Sequence, residues 1–180
     1  MTRYINNLNL LEKNNIYSKS MEHDACGVGL IASTKGISSR KVVEYGIEAL
    51  KAVWHRGAVD ADGKTGDGAG VHIEIPKSFF KEKIENYGRK YDDAEICVGM
   101  IFLPRNNYEA QEKCKTLIET ELLKSNFNIY RWRQVTINPS VLGEKAEITR
   151  PEIAQLIFRH NDKFLKDKSL EIKLYETRRK

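Results

Sequence analysis

Met21-Glu22-His23-Asp24-Ala25-Cys26-Gly27-Val28-Gly29 puts a cysteine where a polar leader gives way to an apolar stretch, Val28, Leu30, Ile31 and Ala32. Cutting the Ala25–Cys26 bond would leave a thiol and a free α-amine on one residue. An α-amine titrates near ~8, so a good fraction is an unprotonated base at neutral pH. Nucleophile and base then share one residue without a histidine, as in an N-terminal threonine served by its own amine. The competing reading of Cys26 is a small buried hydrophobe. Residues downstream decide between the two.

His55-Arg56-Gly57-Ala58, followed by Thr65-Gly66-Asp67-Gly68-Ala69-Gly70, is the second group that could do chemistry. Gly63-Lys64-Thr65 looks like the end of a phosphate-binding loop, but that motif requires a glycine where Ala58 stands. Asp60, Asp62 and Asp67 would also repel a phosphate. A calcium loop fails too, because Val71 occupies the position of the bidentate glutamate. The histidines (His23, His55, His72 and His160) lack ligand spacing and read as surface or packing residues. What remains is an arginine beside small residues. Its guanidinium can clamp a carboxylate or hold a neighbouring carbonyl, and the glycines let backbone N–H groups approach a ligand. Taken alone, Arg56 is more often a structural salt-bridge partner. Cys26 and this loop together suggest acyl transfer from an amide.

The elements that must position these residues can be read from periodicity. Residues 1–20, rich in Asn, Lys and Ser, read as a poorly ordered leader. Gly27 to Ser33 reads as a strand buried on both faces. Lys35-Gly36 suits a turn, and Ser38 or Ser39 can cap a helix in which Val43, Ile47, Leu50 and Trp54 face the core. Gly57 ends it, and residues 57–70 form a loop. Val71 to Ile75 alternates as a strand closed by Pro76. Ile96 to Leu103 is a buried strand, Asn107 to Lys124 a helix with Cys114 towards the core, and Phe127 to Ile137 a strand. Pro151 to Arg159 reads either as a helix starting near Thr149 or as a strand through Gln155-Leu156-Ile157-Phe158. From Asp162 a charged amphipathic helix runs to Lys180 without a terminating glycine, which leads us to expect a longer chain.

Composition bounds the class. The 180 residues are 41% hydrophobic and 31% charged, enough for one domain that buries roughly two-thirds of its unfolded surface. The net charge of +5 is spread through Lys/Glu mixtures, which suits a solvated surface and not a nucleic-acid footprint. No apolar run reaches membrane-spanning length, and Asn6, Asn7, Asn9 and Glu12 break up the leader's leucines, unlike a secretion signal. A cytoplasmic protein without nucleic-acid or membrane partners is expected. Cys26, Cys97 and Cys114 form no C-x-x-C pair, so neither a disulfide framework nor a metal site is expected.

Asp24-Ala25-Cys26-Gly27-Val28-Gly29, His55-Arg56-Gly57-Ala58 and Thr65-Gly66-Asp67-Gly68-Ala69-Gly70 together resemble the N-terminal class II glutamine amidotransferase domain of the glutamate synthase large-subunit family. The likeness continues through Gly99-Met100-Ile101-Phe102-Leu103-Pro104, Trp132-Arg133, Leu142-Gly143-Glu144-Lys145-Ala146, Pro151-Glu152-Ile153-Ala154-Gln155 and Lys173-Leu174-Tyr175. It implies an α+β fold, the N-terminal-nucleophile hydrolase four-layer αββα sandwich of antiparallel sheets, of which this chain holds part. It favours the strand reading of residues 154–158. It also implies that residues 1–25 are a removable propeptide, against the alternative of an attached disordered leader, and that residues 26–180 are the first part of the amidotransferase domain. By the same likeness Cys26 is the catalytic nucleophile on glutamine. Arg56 and Gly57 orient it and shape the substrate pocket, and the acidic residues of 60–67 shape the loop.

No cofactor is implied for this segment; FMN and an iron–sulfur cluster would belong to the parent enzyme's later domains. The implied partners are glutamine, those remaining domains and a small reductase subunit. The sequence departs from the family in lacking the Asn-Gly pair of the oxyanion hole, so the piece alone is expected to be a poor glutaminase. Two other readings compete. One is the amidotransferase domain of an enzyme such as glucosamine-6-phosphate synthase or amidophosphoribosyltransferase, where Tyr-Asp or Gln-Asp would replace Ala58-Val59-Asp60. The other is a non-catalytic interaction module that keeps the fold.

Overall fold

The computed structural model describes residues 6, 10, 12–14, 27–54, 57, 59–66, 68–91 and 95–180. Two compact units divide the chain, one comprising Met1–Ala58 with Asp67–Val71 and the other Val59–Gly66 with His72–Lys180. The leader expected at residues 1–20 lies almost wholly outside the described residues.

In the first unit, helix α1 (Arg40–Ala52) follows Ser39, whose extended backbone suits an N-cap although its side chain makes no capping bond. Val43, Ile47 and Leu50 of its apolar stripe are half-buried. Trp54, expected on the same stripe, is 76% exposed. The helix ends at Ala52, so Trp54 lies beyond the last turn that would aim it at that face. Residues 27–33 form no strand, and Val28 and Leu30 are almost fully exposed. A strand exists only through a ladder partner, and this segment has none among the described residues. The buried strand expected there is corrected to an exposed apolar segment without a ladder among the described residues.

The second unit is built around a three-stranded antiparallel sheet in the order β1–β3–β2. Strand β1 spans Cys97–Leu103, β2 Phe127–Gln134 and β3 Glu152–His160. Central β3 pairs Cys97 with Phe158 at one end of β1 and Leu103 with Glu152 at the other. Along β2 it pairs Phe127 with His160 and Gln134 with Ala154. Its Leu156, Ile157 and Phe158 are consecutively buried, because both faces of the sheet are covered there. This settles the ambiguous segment as a strand. Thr149 closes a short helix instead of opening one. The proline at 151 disfavours helical backbone at the preceding Arg150, which has ψ 123.

Helix α2 (Lys77–Glu85) packs Phe80 and Ile84 with Ile96, Tyr130 and Ile157 on one face of the sheet. Periodicity had not marked α2; Pro76, read as a strand end, also supplies the fixed φ that precedes its first turn. The expected strand at 71–75 forms no ladder, though Ile75 packs against this cluster. On the opposite face, α3 (Tyr108–Lys124) contributes Leu122, and α5 (Asp167–Arg178) contributes Leu170, to a core with Cys97, Phe127, Leu156 and Phe158. The Asn107 side chain accepts the Ala110 N–H at 2.9 Å and so caps α3. Between β2 and β3 lies helix α4 (Glu144–Thr149). The α+β expectation therefore holds as helices packed on an antiparallel sheet.

Candidate functional site

Cys26 and Arg56, the expected nucleophile and pocket arginine, lie outside the described residues, as do His55, Ala58 and Asp67. Gly57 is described. Its N–H donates to the Trp54 carbonyl at 3.0 Å, and a Cβ there would meet the same oxygen at 3.3 Å. A side chain at 57 would thus press on the turn that follows α1.

Two residues beyond Gly57 begins a loop whose geometry is fully visible. Val59 and Gly66 form an isolated antiparallel bridge. Asp60 N–H donates to Thr65 O at 2.8 Å, and Gly63 N–H donates back to Asp60 O at 2.9 Å. Gly63 adopts φ +68, a left-handed conformation that only glycine takes up without strain. The reversal is locked from inside by Asp62. One of its carboxylate oxygens accepts the backbone N–H groups of Lys64 (2.9 Å) and Thr65 (2.7 Å), and the other accepts the Thr65 hydroxyl. That hydroxyl bond first, and the two backbone donors after it, hold the Asp62 carboxyl far below the usual carboxylate range.

The same loop is fastened to α4. Lys145 Nζ donates to both carboxylate oxygens of Asp60, at 2.8 and 2.7 Å. This contact lowers the Asp60 pKa and raises that of Lys145. Gly143, at the N-cap of α4, lies so close to the loop that an added Cβ would overlap Asp62 Oδ2 and the hydroxyl and amide nitrogen of Thr65. At the other end of α4, Glu147 accepts from Arg150 Nε at 2.8 Å and also bonds Arg105, which follows β1. Loop, short helix and sheet are thereby linked by charged groups. Asp60 and Asp62 are exposed, and their carboxylates accept hydrogen bonds that hold the loop.

Sequence reasoning noted both the 60–65 loop and the segment Leu142–Ala146 but did not see that they meet. The available signal was charge complementarity, Lys145 against Asp60, across 85 residues. Periodicity carries no information at that separation.

Among the described residues, the remaining titratable groups show no competing centre. His160 is buried edge-on to Phe127, and its Nδ1 accepts the Asp162 N–H at 3.1 Å, a packing role. Burial pushes the Cys97 thiol up to about 12, so it is not a nucleophile at neutral pH. Among the described residues, no three His, Cys, Asp or Glu side chains gather as a metal site, and no helix is long and apolar enough to cross a membrane.

Comparison with known proteins supplies what loop geometry alone does not. The family model for class-II glutamine amidotransferases matches residues 26–180. The chain is similar to the glutamate synthase [NADPH] large chain of Azospirillum brasilense, with 54% identity over 166 residues, 92% of this chain and 11% of that one. It is 36% identical over 172 residues to the ferredoxin-dependent glutamate synthase of Pyropia yezoensis, covering 95% of this chain and 11% of the relative. Over 164 residues it is 31% identical to the glutamate synthase [NADPH] large chain of Bacillus subtilis, 91% of this chain and 11% of the relative. The chain thus spans about a tenth of the length of these curated relatives.

Proposed function

The chain belongs to the class-II glutamine amidotransferases, and from that premise we propose that it is the glutaminase portion of a glutamate synthase large subunit. In this reading it releases ammonia from glutamine for transfer to 2-oxoglutarate. The observation that carries the proposal is the 54% identity to a glutamate synthase large chain across nearly the whole sequence.

Cys26 is the nucleophile. Its α-amine, freed by removal of residues 1–25, takes the thiol proton, and the sulfur attacks the side-chain amide carbon of glutamine. The amine returns the proton to the departing nitrogen as the tetrahedral intermediate collapses, giving ammonia and a thioester. Water then cleaves the thioester, yielding glutamate and the free thiol. Support for a boundary at residue 26 comes from the family match, which starts there. Arg56 and Gly57 line the glutamine pocket and orient Cys26.

The full fold is the four-layer αββα sandwich. Two observations support a second sheet. Met100 and Phe102 are exposed on the β1 face opposite the α3–α5 core, and the apolar segment 27–33 has no ladder among the described residues. FMN and an iron–sulfur cluster belong to later domains of the parent. The parent's partners are those domains and a small reductase subunit, the names of the relatives giving NADPH or ferredoxin as the associated donor. The reaction is assigned to the cytoplasm.

A glutamine-mimicking diazoketone tests the nucleophile in the mature full-length protein. Intact mass is expected to show a chain beginning at Cys26, with one label on that residue and none on Cys97 or Cys114. An active preparation that retains Met1, or labelling undiminished in Cys26→Ala, overturns the proposal.

A further inference from the structure

We propose that Arg89 and Arg131 guard the outer edge of β2 against pairing with a second copy of this chain, closing the sheet to strand addition on that side. The order β1–β3–β2 leaves two edges, and the backbone groups along an edge are a template for another strand. Which groups face outward follows from the ladder. Val135 N–H donates to Ile153 O at 3.1 Å, so Ile153 and, by alternation, Gln155 and Ile157 turn their backbone groups towards β2. The partners of the last two, Arg133 and Arg131, turn inward, and Trp132 between them turns outward. Ile129 lies opposite Phe158, which belongs to the set of β3 residues facing β1, so Ile129 turns outward as well.

Both of these outward carbonyls are occupied. Arg89 Nη1 donates to Ile129 O at 2.9 Å, and Arg131 Nε donates to Trp132 O at 3.1 Å. The Arg131 guanidinium stacks 3.2 Å from the centroid of the Tyr87 ring and makes a second bond to Lys83 O at 3.4 Å, which fixes its direction. Between the two capped positions the register slips at Tyr130, and such a bulge twists an edge away from straight pairing. Arg89, Arg131 and Arg133 bond to backbone carbonyls and to the Gln155 side chain, not to carboxylates. Two β2 edges brought together would therefore set like charge against like, which opposes pairing.

Strand β1 has none of these features. Its seven residues carry no charge. The same alternation turns Val98, Met100 and Phe102 outward, and among the described residues no side chain donates to their carbonyls. Capping by arginine is thus a property of one edge of the sheet and not of strands in this chain generally.

The test uses the full-length protein. The double variant Arg89→Ala, Arg131→Ala is expected to self-associate severalfold more strongly than wild type in sedimentation at equal concentration. Amide exchange at Trp132 and Gln134, whose N–H groups face the same edge, should slow as the variant's concentration rises, while Met100 and Phe102 keep their wild-type rates. A merely structural loss of the tie between β2 and α2 would speed exchange at Trp132 and Gln134 at every concentration. That result, unchanged sedimentation, or slowing confined to Met100 and Phe102 overturns the guard. Should the double variant fail to fold, Arg89→Met decides by the same two readouts, because Arg89 is exposed and the change removes its donor and its charge together.

Discussion

Glu147 is the residue with the clearest titration consequence. Its hydrogen bonds from Arg150 and then Arg105 hold the carboxyl at about 2, against an ordinary 4.5. A carboxylate depressed in the folded state stabilises fully above its unfolded pKa, and that stabilisation is lost as pH falls through the folded value. The window is therefore from about 4.5 down to about 2. Thermal unfolding followed across it should show the wild-type midpoint falling with acid, and Glu147→Gln should flatten that part of the profile. A Glu147→Gln profile parallel to wild type would show that these arginines do not act through the charge. Glu147 also illustrates what a sequence hides. Its identity and its helix neighbour Arg150 are legible three residues apart, whereas Arg105, 42 residues away, meets it only because β1 and α4 are brought together.

At the scale of elements, legibility followed local information. Strand β1, helix α3 and strand β2 appear within a few residues of where alternation and helical spacing put them, because their cores repeat at short range. Residues 154–158 were undecidable from pattern alone, since a run buried on both faces has no period; β3 lies in the middle of the sheet with α2 on one side and α3 and α5 on the other. Segments 27–33 and 71–75 have strand-like composition but no partner among the described residues, and composition does not supply one. The burial of β3 makes a direct prediction. Leu156 faces the α3–α5 core and Ile157 the α2 core, so Leu156→Ala and Ile157→Ala should each cost about 2–5 kcal/mol in denaturant unfolding. Met100→Ala, on the exposed part of β1, should cost well under either. If only one of the two β3 substitutions is costly, one of the two layers does not carry the load described here.

Among the described residues of the whole molecule, large apolar groups stand exposed in both units. Val28 and Leu30 are 92% and 89% exposed in one unit, and Phe102 is 64% exposed in the other. The proposed chemistry makes a demand of its own. A cysteine nucleophile needs donors aimed at the developing oxyanion, and no Asn-Gly dipeptide occurs anywhere in the 180 residues. Loss of even one such donor costs about 10²–10³ in rate. Residues 26–180 alone, with Cys26 as the first residue, should therefore turn over glutamine at least about 10²-fold more slowly than the full-length protein, assayed side by side by ammonia release. The diazoketone separates two causes of that deficit. If the thiol and its amine are already paired, the short chain is still labelled at Cys26 while turnover fails, and the missing donors are responsible. If labelling fails too, the pocket itself depends on the rest of the protein. Full-speed hydrolysis by the short chain would mean that donors for the oxyanion come from backbone already present, and the need for further chain would fall.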